Sequence, residues 1–179
     1  MDSLRRLFAA VADRRCWRWL PLLLLPLSSA QALPQAADQP ATLTISGRIS
    51  RFTDATRKVY VLDRASLDRL PQRDIVTATD WTPLGTFRGP LLRNLLTLVG
   101  AHGSQVKFYG EDDYNITIPL SDFSRYDAIL ASGWNGRSLR LEDYGPFWVM
   151  YPLPRMSAAE TGGTFPSKLI WQVTRMEVR

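Results

Sequence analysis

Residues 86–154 limit most sharply what this chain can fold into, because glycine and proline interrupt them every few positions and leave room only for short elements. The stretch reads TFRGPLLRNLLTLVGA, then DDYNITIPLSD, then ILASGWNGRSL, and closes on YGPFWVMYPLP. One segment has helical periodicity. Leu91, Leu92, Leu95, Leu96 and Val99 fall on a single apolar stripe. Gly89-Pro90 supplies a start with proline at the first helical position, and Gly100 a stop. Arg93 and Asn94 fall on the opposite face as solvated positions.

The remaining elements read as strands. Residues 43–49 alternate, with Leu43, Ile45 and Ile49 apolar and Gly47 a bulge or point of close approach. A second short strand covers residues 58–62, followed by Asp63 as the N-cap of a short helix over 64–70 that Pro71 stops. The β-branched run 74–79 leads into a loop at Asp80-Trp81-Thr82-Pro83. Val106 and Phe108, then Tyr114, Ile116 and Ile118, mark two strands around the turn Gly110-Glu111-Asp112-Asp113. The three acids there read as a solvated turn, since a calcium loop spreads its ligands over about twelve residues with a closing acid. Pro119 ends the second of these strands, and Ser121 is expected to cap a helical turn.

Residues 128–131 form the next strand, and Asn135-Gly136 marks a hairpin whose return strand carries Leu139 and Leu141. Residues 147–151 are apolar on both faces and predict a central strand. Residues 155–168 read as a polar excursion without periodicity, and residues 169–178 as a closing strand bearing Trp171.

The first 32 residues stand apart. Arg5, Arg6, Arg14, Arg15 and Arg18 precede an apolar run over residues 19–27, and Ala30-Gln31-Ala32 supplies small residues for cleavage, which together predict a secretory signal peptide. The run is about nine residues and holds Pro21 and Pro26, too short for a span of roughly twenty. The paired arginines permit a twin-arginine route, but Sec-type export is the preferred reading. A flexible spacer over 33–41 and a single domain over 42–179 complete the expected organisation, with the mature protein periplasmic or secreted and free of the membrane.

Charge and cysteine usage exclude several function classes. The net charge of +5 falls to +2 without the leader, with 17 basic and 15 acidic residues interleaved, so no basic stripe for nucleic acid remains. The one cysteine, Cys16, lies in the leader before the apolar run, where it is misplaced to carry a lipid; disulfides, thiolate catalysis and cysteine-bound metals are therefore excluded from the domain. His102 is the one histidine, and no G-x-S-x-G elbow is present, which argues against a histidine-rich metal site and against a hydrolase.

From Trp81 onward the residues resemble the sulfite-oxidase-like, molybdopterin-dependent oxidoreductase fold, and are most similar to its small exported bacterial members. FRGPLLRNLL, DDYNITIPLSD, ILASGWNG, YGPFWVMYP and the C-terminal IWQV carry the resemblance, in order and spacing. It implies an α+β domain of mixed sheets and short helices with a pterin-sized cleft. It also implies a cysteine thiolate ligating molybdenum in the loop after the strand 74–79, where this chain reads Thr79-Asp80-Trp81. The soft ligand is absent from that loop, leaving Asp80 as the one carboxylate in its place. Arg88, Arg93, Arg155 and Lys168 are the candidates for the family's phosphate-holding residues.

These readings favour a non-catalytic exported module that binds a small molecule or a periplasmic protein, without cofactor or metal. The alternative is a molybdopterin-binding oxidoreductase with atypical metal ligation. The candidate cleft residues are Asp80, Trp81, Arg88, Tyr114, Trp134, Tyr151 and Arg155, with Trp148 and Trp171 as further aromatics; Arg88 and Arg155 are suited to an anionic group.

Overall fold

The structure, a computed structural model, describes residues 41–179. The expected leader, and the spacer up to residue 40, lie outside the described residues. The fold is α+β, with short helices set against three sheets.

The largest sheet contains β1 (Thr42–Gly47), β2 (Tyr60–Asp63), β5 (Gln105–Gly110), β6 (Asn115–Pro119) and β11 (Val173–Val178). A second is built from β3 (Gln72–Thr77), β4 (Gly85–Pro90), β8 (Gly133–Trp134) and β9 (Arg137–Ser138), in that order. The third pairs β7 (Ile129–Ala131) with β10 (Trp148–Met150). The helices are α1 (Arg64–Asp68), α2 (Leu92–Leu98), α3 (Leu120–Tyr126) and α4 (Ala158–Thr161).

In the large sheet the order is β2-β1-β11-β5-β6, so the last strand of the chain lies at its centre. β11 runs parallel to β1, with Thr44 opposite Arg175 and Gly47 opposite Val178, and antiparallel to β5. Period-two patterning sets which face is covered. Leu43 and Ile45 of β1, Val106 and Phe108 of β5, and Val173, Met176 and Val178 of β11 are buried and join one core. Gly47 is required where it stands: its φ is +86°, and a Cβ there would meet the Val178 carbonyl oxygen at 2.1 Å.

Asp63 caps α1 as expected, its carboxylate accepting from the Ser66 N–H at 2.7 Å. The stripe of α2 is buried through Leu92, Leu95, Leu96 and Val99, and Gly100 ends the helix at φ +65°. Asn135 and Gly136 turn the β8–β9 hairpin with φ values of +49° and +76°.

Five local expectations are corrected, the first being that the closing strand begins at Val173 rather than at residue 169 and leaves Trp171 outside it. Gly89-Pro90 does not open α2; both belong to β4, which the sequence reading did not foresee, and the helix is preceded by Leu91 as its N-cap. Sheet packing overrides the helix-start signal, because a Cβ at Gly89 would lie 2.0 Å from the Leu130 carbonyl oxygen of β7. Ser121 lies inside α3, whose N-cap is Pro119 with no side-chain cap bond. Leu141 leaves the return strand for a single 3-10 turn and is 52% exposed. Arg93 is not merely solvated, since its guanidinium pairs with the Asp127 carboxylate.

Residues 155–168 are more ordered than their composition suggests. Ser157 and Glu160 form a reciprocal capping box at the start of α4. Lys168 pairs with Asp122 of α3 at 2.6 Å, and Glu160 accepts from Arg125 at 2.8 Å and from the Tyr126 hydroxyl at 3.1 Å. The excursion is thereby fastened across α3.

Candidate functional site

The loop between β3 and β4 is closed on itself. The Thr79 hydroxyl accepts from the Trp81 N–H at 3.2 Å and the Thr82 N–H at 3.0 Å, and lies 2.9 Å from the Thr82 hydroxyl. This turn holds the side chain of Trp81 at the surface, 38% exposed.

An aromatic cluster runs inward from there. The rings of Trp81 and Trp171 meet edge to face at 4.8 Å, Trp171 meets Tyr144 at 5.7 Å, and Tyr144 meets the buried Trp148 at 4.7 Å. The indole N–H of Trp148 donates to the Leu169 carbonyl at 2.9 Å, fixing the inner end. Trp171 stands just before β11, beside the register irregularity between Val173 and Arg175, and Gln172 follows it at φ +52°. Such an irregularity re-aims the chain locally.

A cleft of about 310 Å³ opens against this cluster. Trp81, Tyr114 and Trp171 form its aromatic walls, residues 166–170 contribute Pro166, Ser167, Leu169 and Ile170, and Asp112 is its one charged lining residue. Tyr114 is 49% exposed, so two of the few large apolar side chains left open to solvent flank the same cleft. Clefts of this size and composition are the usual place for a small ligand.

A larger cleft, about 960 Å³, lies elsewhere and is lined by Arg57, Arg64, Arg140 and Arg175 together with Asp63, Asp68 and Glu111. Most of its charges serve the fold. The Arg64 guanidinium donates to the carbonyls of Ser132, Leu139 and Pro146 at 2.5, 2.7 and 3.1 Å. Asp68 accepts from the Ser132 hydroxyl at 2.7 Å, Arg140 pairs with Glu142 and Asp143, and Arg175 lies over the Tyr109 ring. None of the seven residues singled out from the sequence lines this cleft.

Of those seven, the structure brings Trp81 and Tyr114 together. Asp80 is exposed in the same loop without lining the cleft. Arg88 pairs with Asp74 at 2.9 Å on the outer face of the β3–β4 hairpin. Trp134 stacks on Phe87 at 5.9 Å over Gly85, its indole N–H buried with no partner among the described residues. Arg155 is exposed in a 3-10 turn.

Tyr151 belongs to the core rather than to a cleft. It has no exposed surface, because the ordered excursion covers the strand end, with Phe165 against one side and Tyr126 against another. Its hydroxyl is buried with no hydrogen-bond partner among the described residues, and burial, then the nearby Asp122 carboxylate, push its pKa well above the ordinary tyrosine value. Sequence reasoning missed Asp112, which it assigned to a solvated turn although it lies close to Tyr114, and it missed the wall of Pro166, Ser167, Leu169 and Ile170, which it left in a polar excursion and a strand.

A family model described as the oxidoreductase molybdopterin binding domain matches residues 35–154. The chain belongs to this family. No curated protein matches it. The matched residues include Trp81, Asp112 and Tyr114, whereas the wall at residues 166–171 and the central strand β11 lie beyond them.

The donor set here does not fit a thiolate-bound molybdenum. The loop in which the sequence resemblance places the thiolate offers Thr79, whose hydroxyl is committed to its own turn, and the exposed Asp80. Among the described residues there is no cysteine, and no group of three His, Cys, Asp or Glu side chains is gathered to hold a metal. Among the described residues the aromatic cleft also has no lysine or arginine in its lining to meet a cofactor phosphate.

Proposed function

We propose that this member of the molybdopterin-binding domain family is an exported binding module, which holds a small molecule in the cleft of Trp81, Tyr114 and Trp171 and does not perform molybdenum chemistry. The observation that carries this reading is the cleft itself: the exposed Trp81 and Tyr114 flank it, and Trp81 stands in the loop Thr79-Asp80-Trp81, which holds no cysteine. Aromatic faces bring large contact area at low side-chain entropy, as a ligand-binding surface needs. A small molecule is preferred to a periplasmic protein as the occupant because the cleft is a confined volume rather than a broad apolar patch. Export rests on the basic leader, short apolar run and Ala30-Gln31-Ala32. Nucleic acid and membrane are not partners of the mature protein in this reading.

A thermal-shift screen of small molecules on the exported protein tests it. A ligand at a hundred times its dissociation constant adds about 2.7 kcal/mol of stability. Trp81→Leu and Tyr114→Leu are expected to abolish the shift while leaving the unliganded melting temperature within about 2 °C, since both side chains are substantially exposed. A ligand whose shift survives both substitutions would place binding elsewhere and overturn the assignment.

A further inference from the structure

The chemistry of the cleft lining also selects the charge of its ligand. Three aromatic residues and one acidic residue line the space, and among the described residues no lysine or arginine does. The Asp112 carboxylate accepts from the Tyr114 N–H through Oδ1 at 3.1 Å, and its second oxygen has no hydrogen bond among the described residues. Asp80 follows Thr79 in the loop that presents Trp81, and Glu111 and Asp113 flank Asp112 in its turn.

Two cations, Lys168 on the wall segment and Arg175 of β11, are committed to other partners. The Lys168 ammonium belongs to the segment that forms one wall, yet it pairs with Asp122 at 2.6 Å and lies 5.7 Å from the Phe165 ring centre. Arg175 lies over the Tyr109 ring at 4.1 Å and reaches Asp113 only at 3.9 Å. The local field in the cleft is therefore negative, and its walls are π faces, which attract a cation through the ring quadrupole.

We propose that the cleft of Trp81, Asp112, Tyr114 and Trp171 is a site for a small organic cation, an alkylated amine or quaternary ammonium compound. This rests on the reading of the chain as a binding module and names the ligand class for the same site. A quaternary ammonium head suits the site because its charge is spread over methyl groups, which contact aromatic faces without asking for hydrogen-bond acceptors that the walls lack. Asp112 at the rim supplies the counter-charge.

The test titrates the exported protein with choline and with 3,3-dimethylbutan-1-ol, its neutral carbon isostere, following tryptophan fluorescence. Choline is expected to saturate the signal and to bind at least about fivefold more tightly than the isostere, the ratio expected for one carboxylate acting across a few ångströms of water-like dielectric. Asp112→Asn keeps the acceptor for the Tyr114 N–H and is expected to remove that advantage while leaving isostere binding unchanged. Trp81→Leu is expected to weaken choline further and to remove most of the fluorescence response.

Equal binding of choline and isostere overturns the proposal, as does preference for 3,3-dimethylbutyrate, the anionic counterpart, or no saturable response to choline up to about 10 mM. Those outcomes leave the binding-module reading standing. Stoichiometric molybdenum in the exported protein would defeat that reading whatever choline does.

Discussion

Replacing Lys168 by methionine probes how the wall of the cleft is held. The ammonium lies 2.6 Å from the Asp122 carboxylate, with side-chain exposures of 27% and 14%. Removing one partner of a fully buried pair costs 3–5 kcal/mol, whereas an exposed pair contributes about 0–1 kcal/mol. Partial burial on both sides places the expected loss at about 2 kcal/mol, because the Asp122 carboxylate is left near the buried Tyr151 hydroxyl without its lysine partner. Methionine retains the apolar stem that packs towards Phe165, so the change isolates the charge. For a domain of this size the melting temperature is expected to fall by about 6 °C. Adding Asp122→Leu removes the stranded carboxylate and is expected to restore much of the loss, giving a positive coupling in a double-mutant cycle read by urea denaturation. A single variant that melts within about 1 °C of the parent, or a double variant no more stable than the single, would refute the role of this pair.

Three further outcomes follow from the same geometry. Glu160 titrates at about 2 instead of its ordinary 4.5, chiefly because the Ser157 backbone and then its hydroxyl donate to the carboxylate, with the Tyr126 hydroxyl adding to them. Its contribution to stability is present above about pH 4.5 and is lost as the pH falls towards 2, so the melting temperatures of Glu160→Gln and the parent are expected to converge over that window. Tyr151 is held neutral by burial, its contribution intact below pH 10 and lost as the pH rises further; Tyr151→Phe is expected to match or exceed the parent at neutral pH and to lack its decline above pH 10 in the same melts. Gly47→Ala forces a side chain into φ +86° and onto the Val178 carbonyl, and is expected to cost about 2 kcal/mol or more in urea unfolding, with an unchanged midpoint counting against the close β1–β11 approach.

Much of the fold was legible where one periodicity acted alone. The alternation in β1, β5 and β6, the Asn135-Gly136 turn and the buried stripe of α2 each follow from local chemistry and appear as read. Gly89-Pro90 was misread because a helix-start signal and a close strand approach use the same two residues, and the Leu130 backbone that decides between them is about forty positions away. The Ser157-Ala158-Ala159-Glu160 capping box was present in the sequence and would have shown that residues 155–168 are structured. The central place of β11, parallel to β1 across nearly the whole domain, is a long-range pairing that no local pattern encodes.

The candidate site was legible in part for the same reason. Trp81 and Tyr114 were identifiable as turn-borne aromatics, but the cleft they share also needs Trp171, which packs against Trp81 just before the irregular start of β11. Tyr151 looked accessible at the end of its strand until the excursion covered it. Arg88 and Arg155, read as anion holders, lie outside the cleft, and with them away its lining is aromatic and acidic.

The most direct test is the molybdenum content of the protein made from the whole reading frame in cells that make molybdopterin and purified without removing any metal. The account predicts a molybdenum content far below one atom per chain, because the loop at Thr79-Asp80-Trp81 supplies no soft ligand. About one atom of molybdenum per chain would contradict it.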